Sequence, residues 1–306
     1  MVQDRKLVLV ALDGSDQSME AVKYVNNAVN LSKAEIVLVS ILGKVPDLYL
    51  DWQKDEKAVK HGEQLQAWDA YKEEKLRECM EKAAGLLEAA GVAGNAVTLT
   101  IQRRKQGVAR DLISECKYGY DAVVFGRSGL GRMDEAMMGS IASKMFINVA
   151  DAPVCMVGRK PTAGKILVGM DSSLASVRVV NFVGRMLCKG DPSVTLLHVI
   201  RTAHAANGEL ELKEVKEDQE QAMKPVFEKA VRSLKDCGFK PEKIATRIVS
   251  GVGSRARAIF DEAKKGKYGT IVVGRRGHSD VQEFTMGQVA YKLGQVATNM
   301  ALWLIP

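Results

Sequence analysis

Cysteine is scarce, five in 306 residues, and no two are spaced as C-x-x-C. Cys79, Cys116, Cys155, Cys188 and Cys237 are scattered and odd in number, which argues against a disulfide framework or a thiolate zinc site. They read as buried or idle thiols. Four histidines show no metal spacing, and H-E-x-x-H is absent. There is no G-x-S-x-G elbow and no G-x-x-x-x-G-K-[ST] loop. With 7 prolines and 27 glycines the chain has no collagen-like or low-complexity tract. No run approaches the roughly 18 apolar residues that a membrane helix needs. Met1 to Lys6 leads straight into a strand-like run without the parts of a signal peptide, so a cytoplasmic protein is expected.

What is present is ordinary in bulk, with 46% hydrophobic and 26% charged residues. The length favours two domains and permits a large core without disulfides or metals. The net charge of +7 is unevenly placed. Residues 1–160 carry 22 Lys+Arg against 22 Asp+Glu, and residues 161–306 carry 22 against 15. The basic residues are dispersed and no aromatic stacking motif interleaves them, so nucleic acid is not the expected partner.

An internal repeat organises the chain. KLVLVALDGSD at 6–16 and KILVGMDSSLA at 165–175 are short apolar runs that end in Asp and then Ser. A helical stripe follows each, Val22, Val25 and Val29 in the first half and Val179, Val183 and Met186 in the second. Ser15 or Asp16, and Ser172 or Ser173, are the candidate N-caps. Further strand-like runs lie at 36–42, 96–102, 121–126 and 153–158, matched by 194–200, 244–250, 269–274 and 301–306. Segment 43–75 carries Trp52, Trp68 and many charges, the tryptophans being expected to cover the sheet edge rather than stack on a ligand, and it merges into a helix through Leu76, Met80, Ala83 and Leu87. Pro225 is expected to start or break a helix in the second half. Each half therefore reads as five strands alternating with helices, a doubly wound parallel α/β sheet of Rossmann-like type. The expected domains are 1–160 and 161–306.

In such sheets ligands sit outside the carboxyl ends of the strands. Asp13 and Asp171 fall at that edge, and so do two glycine-rich segments. In the first, Gly126-Arg127-Ser128-Gly129 is followed after nine residues by Gly139-Ser140 and a helix. Bare backbone there allows close approach, and a helix start favours an anion. Arg127 and Arg132 add positive charge. The pattern suits an oligophosphate, with Asp13 accepting from ribose hydroxyls or an adenine amino group. A purely structural reading also stands: the glycines permit a tight strand-to-helix passage and Asp13 caps a helix.

Gly126-x2-Gly129-x9-Gly139-Ser140 resembles, at every fixed position, the nucleotide loop of the universal stress protein family. Both halves are covered, so the chain resembles a tandem member with two pseudo-twofold-related domains of the adenine-nucleotide alpha-hydrolase-like type. The resemblance implies ATP, with or without magnesium, as ligand. It places Asp13 and Ile41, with Gly14 beside them, at the adenosine. It places Gly126, Arg127, Gly129, Gly139, Ser140 and Ile141 along the phosphates, largely through backbone groups. A second site would use Asp171, Val199, Gly274, Gly277, Gly287 and Gln288. Gln288 departs from the family's Ser and would either crowd a phosphate or donate its amide to it. Final strands often pair subunits in the family, so the two halves, or two copies of the chain, are expected to associate.

Three functions remain open at this point. One is a stress-response regulator whose nucleotide occupancy changes a partner surface. Another is a nucleotide-independent dimerising scaffold. The third is a slow ATPase or phosphotransferase. Asp134 and Glu135 are the only acids inside the first loop and neither has a spacing that marks a base, so no catalytic residue is expected.

Overall fold

The computed structural model describes residues 5–43, 56–129, 137–201, 209–277 and 286–306, with side chains of 56–66 and 209–215 excepted. Trp52, Arg132, Asp134 and Glu135 lie outside the described residues. The first half runs β1 (Lys6–Ala11), α1 (Asp16–Ala28), β2 (Ala34–Leu42), α2 (Glu56–Ala89), β3 (Val97–Arg103), α3 (Val108–Glu115), β4 (Ala122–Gly126), α4 (Ser140–Asn148) and β5 (Val154–Val157). The second runs β6 (Lys165–Met170), α5 (Leu174–Met186), β7 (Ser193–Arg201), α6 (Glu209–Asp236), β8 (Ile244–Val252), α7 (Arg255–Lys265), β9 (Thr270–Gly274), α8 (Gln288–Val296) and β10 (Ala301–Ile305).

All ten strands join one sheet in the order β3-β2-β1-β4-β5-β10-β9-β6-β7-β8. Every pairing is parallel except the central one between β5 and β10. The apolar runs became central strands because helices cover both their faces. Val22, Val25, Val29, Val179, Val183 and Met186 are all fully buried. Ser15 caps α1 and accepts from the Ser18 amide. One apolar layer, from Val8 and Val25 to Val183 and Trp303, runs through both halves on one face, and a second layer does the same on the other.

Two expectations change. Helix α6 continues through Pro225 rather than starting or ending there. Proline removes one hydrogen bond, but Met223, Phe227, Ala230 and Leu234 on either side are buried in the core and hold both segments in line. Trp68 does not cover the sheet edge: it is 53% exposed, with the Lys72 amine 3.4 Å above its ring.

The seam between the halves is tight. Trp303 stands opposite Cys155 across the antiparallel pair, so a large residue meets a small one. The Trp303 Nε1–H donates to the Tyr24 hydroxyl at 2.9 Å, which lies 3.0 Å from the Thr270 hydroxyl. Burial pushes the Tyr24 phenol well above its ordinary range, so it stays a neutral link. Gly294 of α8 is glycine for a similar reason: a Cβ there would lie 2.5 Å from the Phe146 ring of α4.

Two arginines reciprocate across this seam. Arg127, just after β4, donates to the carbonyls of Gly294 (2.5 Å) and Gln295 (2.9 Å) near the end of α8. Arg275, just after β9, donates to the carbonyls of Phe146 (3.2 Å) and Ile147 near the end of α4. A cation at a helix C-terminus meets unsatisfied carbonyls and the negative end of the dipole. Burial lowers both guanidinium pKa values, that of Arg275 to about 10.

Candidate functional site

The carboxyl ends of β1, β2 and β4 open into a cavity of about 520 Å³, a size suited to a small ligand. Its apolar wall comes from Ile41 and Leu42 of β2, Val108 and Leu112 of α3, Phe125 of β4 and Met145 of α4. Asp13 follows β1, where the apolar run ends. Its Oδ1 accepts from the Ser15 amide (3.0 Å) and the Ser15 hydroxyl (2.5 Å). Ser15, not Asp13, therefore caps α1, and Asp13 faces the cavity.

The glycine-rich loop and the start of α4 complete the cavity. Gly126, Ser128, Gly129, Gly139, Ser140 and Ile141 line it. Gly139 is the N-cap of α4 and brings no capping side chain. The first amides of α4 are therefore left to an incoming acceptor, at the positive end of the helix. Two glycines are required by proximity. A Cβ at Gly129 would lie 2.2 Å from the Asp13 carboxylate. One at Gly139 would lie 3.3 Å from the Arg127 carbonyl, which accepts from the Gly139 amide at 2.9 Å. Loop, carboxylate and helix start are thus in close contact.

Asp13, Gly14, Ile41, Gly126, Gly129, Gly139, Ser140 and Ile141 all line this one cavity. Arg127 does not. Its backbone belongs to the loop, but its side chain is buried and turned into the other half, where α8 carbonyls accept from both terminal nitrogens. The expected loop cation is structural instead. The lining also includes Tyr71, Lys72 and Lys75 of α2, which sequence reasoning overlooked. Their only signal is the stripe that continues backwards from Leu76.

The second half repeats the frame with different contents. Gly287 caps α8 without a side chain, as Gly139 does for α4. A Cβ at Gly277 would lie 2.7 Å from the Asp171 carboxylate. A Cβ at Gly274 would lie 2.9 Å from the Arg276 carbonyl. The Asp171 Oδ1 accepts from the Ser173 amide, the Ser173 hydroxyl and the Ser176 hydroxyl. Gln288 opens α8 as an exposed residue. The strand end at β7 differs most. His198 takes the place of Ser40, and its Nδ1–H donates to the Met170 carbonyl at 2.9 Å. Arg255 takes the place of Val108 as first residue of its helix, and donates to the Val199 carbonyl at 3.3 Å. Val199 is the counterpart of Ile41, so its backbone acceptor is already engaged by the chain itself.

A doubled Rossmann-like sheet, with a glycine loop and an open helix start beside the end of β1, places the protein among the tandem nucleotide-fold α/β proteins. The chain belongs to the universal stress protein family, whose family model matches residues 5–158 and again 162–302. It is 24% identical over 307 residues to a universal stress protein of Mycolicibacterium smegmatis, covering 98% of this chain and 97% of that one. It is 25% identical over 143 residues to the universal stress protein YxiE of Bacillus subtilis, covering 44% of this chain and 93% of that one. A solved universal stress protein of Archaeoglobus fulgidus shares the fold over 98% of this chain and 96% of its own, at 15% identity and TM-score 0.54. No helix among the described residues is long and apolar enough to cross a membrane.

Proposed function

We propose that the protein is a regulator that binds one adenine nucleotide, ATP above all, in its first half. The observation that carries this is a single cavity joining three features: apolar strand ends for a base, the Asp13 carboxylate for ribose hydroxyls, and the uncapped start of α4 for phosphates. Gly126, Gly129, Gly139, Ser140 and Ile141 form the phosphate wall, Ile41 and Gly14 the nucleoside wall. Arg127 contributes its backbone here and its side chain elsewhere. Among the described residues no group of three or more His, Cys, Asp or Glu side chains is placed to hold a metal. A magnesium ion would then enter with the phosphates.

The second half keeps the glycine frame, but His198 and Arg255 use its base end, so its occupancy is not required. This asymmetry favours a regulatory role. Ligand in the first loop acts on Gly126 to Gly129, and Arg127 ties that loop to α8 of the second half. Occupancy is thereby read on a surface the ligand does not touch, where a protein partner docks.

Ligand that binds only the folded state stabilises it by about 2.7 kcal/mol at 100 times its Kd. ATP is therefore expected to raise the unfolding midpoint of the protein. Asp13→Ala is expected to keep the unliganded midpoint and weaken both ATP and adenosine about tenfold, the loss of one or two hydrogen bonds to a charged group. Thermal unfolding with and without each ligand checks both. No shift with ATP would count against the proposal.

A further inference from the structure

Helix α2 is longer than the sheet needs. Its 34 residues span about 51 Å. Among its described side chains, the stretch carrying Leu76, Met80, Ala83 and Leu87 is the one that packs into the core. Because α2 follows β2 and runs back along the sheet, the part before Leu76 overhangs the carboxyl edge, where the cavity opens. That overhang is pinned to the sheet edge. Arg103, the last residue of β3, pairs with Asp69 at 2.7 Å and Glu73 at 2.9 Å. Lys72 and Lys75, on the same turns, line the cavity.

These two are the only cationic side chains lining the cavity among the described residues, since Arg127 points into the seam. Neither is committed to a strong partner. The Lys72 amine rests over the exposed Trp68 ring, and the Lys75 amine pairs with exposed Glu78 at 2.8 Å. Exposed contacts of this kind contribute little and exchange readily. The second half supplies a comparison within the chain. Leu76, Met80, Ala83 and Leu87 correspond to Met223, Phe227, Ala230 and Leu234, all buried in the same core layer. In that register Lys72 and Lys75 correspond to Gln219 and Ala222. The cations occur in the half with the open cavity and are missing from the half whose base end is engaged.

We infer that Lys72 and Lys75 supply the side-chain charge for the phosphate chain and make the first site selective for phosphorylated ligands over the bare nucleoside. The inference rests on the nucleotide reading of that site. Backbone amides of α4 hold the phosphates from one wall, and the two amines close on them from the other. Selectivity thus comes from the helix that follows β2, outside the glycine signature.

The test uses the full-length double variant Lys72→Gln, Lys75→Ala, which gives the first half the residues of the second. Lys82→Ala, farther along α2, is the control. Binding of ATP and adenosine is measured by titration calorimetry at two salt concentrations. The double variant is expected to lose about tenfold or more in ATP affinity through two charge-assisted contacts. It is also expected to lose part of the salt dependence, and to bind adenosine as the parent does. Unchanged ATP affinity would overturn the role of the lysines while leaving the site. Equal loss of ATP and adenosine would overturn it too, because the lysines would then only support the helix. A parent protein that binds neither ligand would overturn the nucleotide reading itself, and the lysine role with it.

Discussion

Gly139→Val is expected to abolish measurable ATP binding while the fold persists. Gly139 has ordinary dihedral angles, φ −61° and ψ 146°, so glycine is not needed for backbone freedom. It is needed for space. A Cβ would already sit 3.3 Å from the Arg127 carbonyl, 3.5 Å from the Ser128 Cα and 3.8 Å from the Ala142 Cβ. Alanine would fit with a small adjustment. The two further methyl groups of valine would part the arms of the loop and tilt the amides at the start of α4. Losing two charge-assisted hydrogen bonds corresponds to a loss of about 100-fold or more in affinity. Calorimetry against ATP, beside circular dichroism of the unliganded protein, checks both halves of the expectation. Parent-like affinity would show that the loop is not the phosphate wall.

The second large effect concerns stability. Trp303 is fully buried where the two halves meet. Its ring packs on Phe182 with centroids 4.8 Å apart, faces Cys155 across the antiparallel pair and donates to Tyr24. Trp303→Ala empties that volume and removes one partner of the Tyr24 hydroxyl, which keeps Thr270. Truncation of a buried tryptophan costs about 3–5 kcal/mol. For a chain of this size that lowers the melting temperature by on the order of 10 °C. Denaturant unfolding measures it, and a loss under about 1 kcal/mol would mean that the seam is not a continuous core.

Much of this was legible before any coordinates. Continuous apolar runs such as Ile36–Leu42 mark strands covered on both faces, and the repeat of those runs places ten of them in two equal sets. The glycine spacing located the loop because glycine demand is a backbone property, which sequence reports directly. Side-chain direction is not. Arg127 sits inside the loop in sequence, yet it turns away and donates to the open carbonyls of α8, 167 residues on. Lys72 and Lys75 were hidden for a related reason. They lie on a charged stretch of α2 before its buried stripe, and their facing depends on how Leu76 to Leu87 dock and on the anchor from Arg103. His198 and Arg255 are visible only when the halves are aligned and a polar or charged residue appears where the first half has Ser40 and Val108. Gln288 drew attention as a departure from the signature, whereas the larger change lies at the base end. Pro225 shows tertiary packing overriding a local breaker.

The central claim is that the first half, and that half alone, holds the nucleotide. Titration calorimetry of the full chain with ATP measures the number of sites directly. One ATP per chain is the predicted result, and it should fall to none in Gly139→Val. Two per chain would contradict the reading of His198 and Arg255, and none in the parent protein would contradict the site.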